Sequence, residues 1–172
     1  MMLTLLPLIM PLALVLLIIA ALHDIVVRLI PNWLSVAILC LGLVLRIGAG
    51  DWAWSLFAAV MVFALCVMAW RFALLGGGDV KLLAAVTTLV PAWDVAALIA
   101  AIALAGGALA LLFILLRRIV PAPSRVTGQP RRGLARIWRM EARRIRRGGP
   151  LPYAVAIAAG TLWVTWGAGM LP

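Results

Sequence analysis

Six long runs of apolar residues, separated by short polar breaks, dominate the pattern along this chain of 172 residues. A helix of about 20 apolar residues is long enough to cross the hydrocarbon core of a bilayer. The runs lie at about 3–22, 33–47, 52–75, 79–90 and 95–116, with a last run that ends near 166. We therefore predict an all-α membrane protein, a single bundle of about six transmembrane helices over residues 1–172.

The composition agrees with a location in a membrane. Hydrophobic residues make up 67% of the chain, charged residues make up 12%, and the mean hydropathy is +1.21. Ordinary soluble domains contain about twice that share of charged residues. This balance excludes a separate soluble domain.

Most of the positive charge lies in one loop, between the fifth and sixth apolar runs. The net charge is +10, and 11 of the 15 basic residues are arginines within residues 117–149. Because arginines between spans mark cytoplasmic loops, we predict that this loop faces the cytoplasm. No RNA-binding signature accompanies the arginines, so we expect no nucleic-acid partner.

The same loop also carries a helical pattern. Apolar residues recur at steps of three and four positions, with arginines between them: Leu134, Ile137, Trp138, Ala142 and Ile145. This spacing predicts an amphipathic helix that lies in the cytoplasmic interface and binds anionic lipids. A disordered loop is the alternative, because glycine and proline flank the segment.

Two cysteines are the only thiols in the chain. Cys40 and Cys66 each stand alone in an apolar run, without CxxC spacing or a neighbouring histidine. Such a pattern is typical of small core residues and not of a zinc site. We expect neither a metal nor a cofactor.

Two of the five acidic residues lie at junctions on one side of the predicted bundle. If residues 117–149 are cytoplasmic, Asp24 and Asp79 share the cytoplasmic edge, and Asp51 and Asp94 lie in solvated turns on the far side. An aspartate at the centre of a membrane helix costs about 2.5 to 3.5 kcal/mol, and less toward the interface. This cost makes Asp24 and Asp79 candidate functional residues.

Each of these two acids also has a structural interpretation. Asp24 precedes Arg28 by four residues, the favourable order for an ion pair within a helix. Asp79 could cap the fourth helix. Neither interpretation explains the glycines Gly76, Gly77 and Gly78 before Asp79, which we interpret as space for another helix or an extended substrate.

Paired aspartates have a well-defined chemistry. Two carboxyl groups within hydrogen-bond reach share one proton, so that one activates water and the other protonates a carbonyl oxygen. This arrangement hydrolyses peptide bonds. Because 55 positions separate Asp24 from Asp79, the pair forms only if the first and fourth helices pack side by side.

Three segments of the chain resemble the signatures of one enzyme family. The sequences DIVVRLIPNWL (24–34), GGGDVKLLAA (76–85) and PLPYAVAIAAG (150–160) resemble, in the same order, those of the type IV prepilin peptidases. The resemblance is strongest to the short branch that serves tight-adherence (Flp) pili. The wider GxGD intramembrane proteases are similar only in the second segment.

The resemblance implies a function. Asp24 and Asp79 would be the catalytic pair of an aspartic protease in the bacterial inner membrane, which cuts the basic leader from a prepilin at the cytoplasmic face. Larger members carry a cytoplasmic domain with paired CxxC motifs and also methylate the new N-terminus. About ten residues separate the first two spans here and no CxxC occurs, so we do not expect N-methyltransferase activity.

Five other residues carry secondary predictions. Pro31 and Asn32 break the chain before the second helix, with Asn32 as a suitable N-cap. Lys81 either offsets the negative charge of the acid pair or extends toward the headgroups. Ala156 and Gly160 form a small-xxx-small pair, which is typical of helix packing.

Two other functions fit a small apolar protein with paired acids. A proton- or ion-coupled transporter uses intramembrane acids as relays, although it places them near the midplane. A non-enzymatic membrane protein of a pilus assembly machine would not need either acid. The sequence carries no signal of oligomeric state, and the expected partners are a prepilin and membrane lipids.

Overall fold

The computed structural model describes residues 6–119 and 151–170, and the regular structure within these ranges is helical. The helices are α1 (Leu6–Val27), α2 (Asn32–Ala49), α3 (Trp52–Arg71), α4 (Gly77–Thr87), α5 (Val95–Ile119) and α6 (Tyr153–Gly167), with a 3-10 turn at Ala92–Asp94 before α5. The predicted all-α class is confirmed. The predicted interfacial helix, between Leu134 and Ile145, lies outside the described residues.

Helix length separates the six helices into two groups. Within the described ranges, α1, α2, α3 and α5 are long and apolar enough to cross a membrane, and α6 is a shorter apolar helix of 15 residues. The 11 residues of α4 extend over about 16 Å at 1.5 Å per residue. That is roughly half the thickness of the hydrocarbon core. The chain is therefore a membrane protein with one short central helix.

The short helix α4 lies at the centre of the bundle. Its residues from Leu82 to Thr87 are all buried, and it packs against α2, α3 and α6. α1 packs on α2 and α6, and α5 packs mainly on α6. The Thr87 hydroxyl donates to the Leu83 carbonyl at 2.8 Å, so this buried polar side chain is satisfied within its own helix.

Two glycines allow helix backbones to approach closely. A Cβ at Gly160 would lie 2.6 Å from the backbone nitrogen of Ile102 in α5, and Ala156, one turn earlier on α6, is buried. A Cβ at Gly42 in α2 would overlap the Thr88 side chain at the end of α4. The predicted packing role of Ala156 and Gly160 is confirmed.

The link between α1 and α2 is held by local hydrogen bonds. Arg28 ends α1 with a left-handed backbone (φ 61°), and the His23 ring bonds the Leu29 carbonyl at 2.6 Å through Nδ1. Pro31, with extended backbone, is the N-cap of α2, and its carbonyl accepts the Leu34 N–H at 3.1 Å. The prediction of Asn32 as the N-cap was wrong, because Pro31 already supplies the extended residue before the helix.

The turn between α2 and α3 contains an ion pair. Arg46 Nη1 lies 3.4 Å from Asp51 Oδ2, with the two side chains only 12% and 15% exposed. Gly50 adopts a left-handed backbone (φ 80°) that closes α2. Asp51 is thus not the freely solvated turn residue that the sequence predicted, because Arg46, five residues earlier, reaches back to it.

Candidate active site

In the part of the chain that the structure describes, the ends of five helices meet at one end of the bundle. The C-terminus of α1 and its link to α2 adjoin the N-terminus of α4, where a Cβ at Gly78 would lie 3.2 Å from the Ile30 Cβ. The C-terminus of α3 reaches the same place, with Trp70 Nε1 at 3.6 Å from a Cβ built on Gly77. The N-terminus of α6 completes this end of the bundle through its contact with α1.

Asp24 lies in the last turn of α1 and is buried, with 6% of its surface exposed. The backbone N–H of Ala154, in the first turn of α6, donates to Asp24 Oδ2 at 3.4 Å. The first N–H groups of a helix have no partner within it, and the helix dipole favours a negative charge there. The N-terminus of α6 therefore supports a carboxylate at this position.

Asp79 lies in the first turn of α4, three residues after the N-cap Gly76. The Gly76 backbone N–H faces the Asp79 carboxylate closely enough to lower its pKa. This contact reproduces one half of a capping box, in which the third residue of a helix reaches back to the N-cap amide. The prediction that Asp79 caps the fourth helix was wrong, because Gly76 is the N-cap and Asp79 lies within the first turn of α4.

Asp79 interacts electrostatically with the other acid. It lies outside the four helices that can cross the membrane, and burial raises its pKa from 3.8 to about 6, with a further upward contribution from the charge of Asp24. The Gly76 N–H and the Arg28 guanidinium oppose this increase. Asp24 and Asp79 therefore lie within electrostatic reach of one another at the ends of α1 and α4. The expectation that these two helices pack side by side was wrong, because among the described elements both pack on α2 and α6 and approach each other only where Ile30 meets Gly78.

The three glycines before Asp79 have different neighbours. A Cβ at Gly76 would lie 2.8 Å from Asp79 Oδ2, so glycine at this position leaves room for the carboxylate itself. Gly78 makes room for Ile30 from the α1–α2 link, while a Cβ at Gly77 would meet only an ordinary contact. The space predicted beside Asp79 is thus used by the protein's own side chains.

Among the described residues, Arg28 is the cation that acts on Asp79, whereas Lys81 binds Asn32. Lys81 Nζ donates to Asn32 Oδ1 at 2.9 Å, which joins α4 to the start of α2. The sequence offered Arg28 only as a partner of Asp24, because spacing along a helix does not reveal neighbours from another helix. Pro31 is half-buried beside this contact and sets the start of α2.

Tyr153, the first residue of α6, is a neighbour of the acids that the sequence analysis did not single out. Its ring lies against Gly106 of α5, where a Cβ would meet Tyr153 Cε2 at 2.9 Å. Its phenol is within electrostatic reach of Asp79 and of Cys66 in α3. The quoted segment PLPYAVAIAAG contains this tyrosine, but nothing in the sequence indicates what the ring contacts.

The described ranges contain no group of three or more histidine, cysteine, aspartate or glutamate side chains that could hold a metal ion. Cys66 is partly buried, but Cys40 is exposed on α2, so only one of the two cysteines approaches the predicted core position. The outward face of α2 is apolar, and a small thiol on it is compatible with lipid.

Comparison with known proteins identifies the family. Residues 12–115, more than half of the chain, match the type IV leader peptidase family. The chain belongs to this family. Asp24 and Asp79 both lie within the matched segment, whereas Tyr153 and Ala154 lie beyond it. As a type IV leader peptidase family member the protein is a membrane protease with prepilins as its substrate class. Neither the curated proteins nor the solved structures contain a match.

Proposed function

We propose that this type IV leader peptidase is an aspartic protease in which Asp24 and Asp79 form the catalytic pair. The observation that carries the proposal is that the end of α1 and the start of α4 place these two carboxyl groups close enough for the charge of Asp24 to raise the pKa of Asp79. Titratable groups that shift one another's protonation, at a site where helix ends converge, are typical of acid–base catalysis.

The surroundings of the two acids suggest their roles. Ala154 supports a negative charge on Asp24, so Asp24 would act as the base that takes a proton from water. Asp79, with a pKa of about 6, would hold the shared proton and give it to the carbonyl oxygen of the scissile bond. The hydroxide adds to the carbonyl carbon to give a tetrahedral diol. As the C–N bond breaks, the proton that Asp24 took from water moves to the leaving nitrogen, and Asp79 takes a proton back from a diol hydroxyl, which restores the starting state of both acids.

The substrate that suits this site is a prepilin with a basic leader followed by an apolar helix. Its apolar helix would lie in the bilayer beside the bundle, and its leader would extend to the side of Asp24 and Asp79. Because arginine-rich loops mark the cytoplasmic side, the segment 117–149 supports a location of both acids at the cytoplasmic face of a bacterial inner membrane. The short tight-adherence (Flp) branch is the proposed subfamily, because only about ten residues separate the first two spans and the sequence given has no CxxC motif.

Co-expression with a reporter prepilin tests the proposed function. The reporter carries a basic leader, a glycine and an apolar helix, and processing is followed as a decrease in its mass. Asp24→Ala and Asp79→Ala are expected to abolish processing at unchanged protein level, and Asp94→Asn serves as the matched control. Retained processing in either alanine variant would overturn the catalytic assignment.

The same reporter tests the proposed absence of methyltransferase activity. The N-terminus of the processed pilin should carry a free, unmethylated amine when this chain is the only peptidase present. Mass spectrometry of the N-terminal peptide gives the answer directly. An added methyl group that depends on this chain would contradict the proposal.

A further inference from the structure

The first turn of α6 contributes two groups to the end of the bundle that holds the acids. The Ala154 N–H binds Asp24, which links α6 to the first acid. Tyr153, directly before it, is half-buried and lies within electrostatic reach of the second acid, Asp79. The proposed mechanism uses Ala154 but leaves the tyrosine without a role.

The position of the Tyr153 ring depends on a glycine of α5. A Cβ at Gly106 would lie 2.9 Å from Tyr153 Cε2, 3.5 Å from Cζ and 3.4 Å from the hydroxyl oxygen. The ring therefore rests on the bare backbone of Gly106 along its hydroxyl-bearing edge. Among the residues that the structure describes, none has an atom within 4 Å of a Cβ at the next residue, Gly107, so the two adjacent glycines have different surroundings.

A substrate needs hydrogen-bond partners at this site. Cleavage requires an extended peptide, and an extended backbone next to the hydrocarbon region has N–H and C=O groups that must be satisfied by the protein. A phenol is a neutral group that both donates and accepts a hydrogen bond. Tyr153 presents such a group directly before the Ala154 amide that binds Asp24, and it adds no charge to the two carboxyl groups.

We propose, on the basis of the proposed function, that Tyr153 is a substrate-positioning residue of the peptidase. Its ring is held against Gly106, and its hydroxyl binds the backbone of the extended substrate segment next to the bond that Asp79 and Asp24 cleave. The substrate class is thus a peptide unwound at the membrane edge, recognised in part through its main chain.

The first test removes only the hydroxyl. Tyr153→Phe keeps the ring and its packing on Gly106, and the purified full chain is assayed on a synthetic peptide that spans a basic leader, a glycine and an apolar helix. We expect kcat/KM to fall by at least twofold and up to about tenfold, the effect of one lost hydrogen bond. A change smaller than twofold would overturn the role of the hydroxyl and with it the proposal.

The second test displaces the Tyr153 ring through a substitution in α5. Gly106→Ala places a methyl group against Tyr153 and should lower kcat/KM by about tenfold, whereas Gly107→Ala should leave it unchanged. In a Tyr153→Ala background, Gly106→Ala should have no further effect, because the displaced group is absent. A loss from Gly106→Ala that persists in that background would show that the glycine acts through general packing, and would overturn the proposal.

Failure of this inference is distinguishable from failure of the proposed function. If the proposed function is wrong, Asp24→Ala or Asp79→Ala retains cleavage. If only the inference is wrong, both aspartate variants are inactive while Tyr153→Phe cleaves at the normal rate. Thermal unfolding of each variant in detergent separates loss of folding from loss of positioning.

Discussion

The backbone N–H of Ala154 donates a hydrogen bond to Asp24 Oδ2 at 3.4 Å, across 130 positions of sequence. This bond attaches the start of α6 to the end of α1, at a point where both groups are buried. The helix that follows the arginine-rich segment therefore belongs to the same site as the first acid, although it lies outside the residues that match the family.

Removal of the charge of Asp24 should lower the pKa of Asp79. Carbodiimide labels only protonated carboxyl groups, so labelling of Asp79 should decrease as pH rises, with a midpoint near 6. Because the charge of Asp24 raises the pKa of Asp79, Asp24→Asn should move this midpoint to lower pH. Mass spectrometry of the peptide that contains Asp79 gives the labelled fraction at each pH.

An opposite shift provides the control for that measurement. Arg28 lowers the pKa of Asp79, so Arg28→Gln should move the labelling midpoint to higher pH. Shifts of the same sign in the Asp24 and Arg28 variants would contradict the electrostatic arrangement of the site.

The effect of an alanine substitution at the start of α4 on the cleavage rate should depend on what the added methyl group meets. Gly76→Ala pushes a methyl group to 2.8 Å from Asp79 Oδ2 and should lower the cleavage rate by about tenfold to a hundredfold, because small displacements of catalytic groups are costly. Among the described residues, a methyl group at Gly77 would make one ordinary contact, at 3.6 Å, so Gly77→Ala should keep the cleavage rate within about twofold of wild type. Equal losses in the two variants would show that the glycines serve chain flexibility instead of carboxylate placement.

Packing between α5 and α6 should depend on Gly160. A methyl group there would overlap the Ile102 backbone, so Gly160→Ala should lower the free energy of unfolding by about 1 to 3 kcal/mol, although alanine favours an isolated helix. Gly167→Ala lies near the end of the same helix. Within residues 6–119 and 151–170 its methyl group would have no neighbour within 4 Å, so this variant should not destabilise the protein. Thermal unfolding in detergent compares the two. An unchanged midpoint for Gly160→Ala would contradict the close approach.

Much of the fold was predictable because apolar run length and the breaks at glycine and proline are local signals. The runs placed the helices, and the Ala156 and Gly160 spacing identified a packing face. The N-cap of α2 was mispredicted because Pro31 and Asn32 both suit a helix start, and only the geometry shows that Asn32 bonds Lys81.

The candidate site was predictable only in part. Asp24 and Asp79 are conspicuous because acids are rare and costly in an apolar chain. Ala154, Gly106 and Tyr153 carry no such signal, because a backbone amide, a small residue and one aromatic ring are common in membrane helices. Their contribution follows from α6 packing against α1 and α5, a contact between distant segments that no local pattern encodes.

The most direct test of the central claim is a double-mutant cycle on the two acids in purified, reconstituted protein. The initial rate of leader release is measured for wild type, Asp24→Asn, Asp79→Asn and the double variant. If the two acids act as one unit, the rate should fall by about a hundredfold or more in each single variant, with no further loss in the double variant. Substantial cleavage in either single variant, or losses that multiply in the double variant, would contradict a catalytic pair.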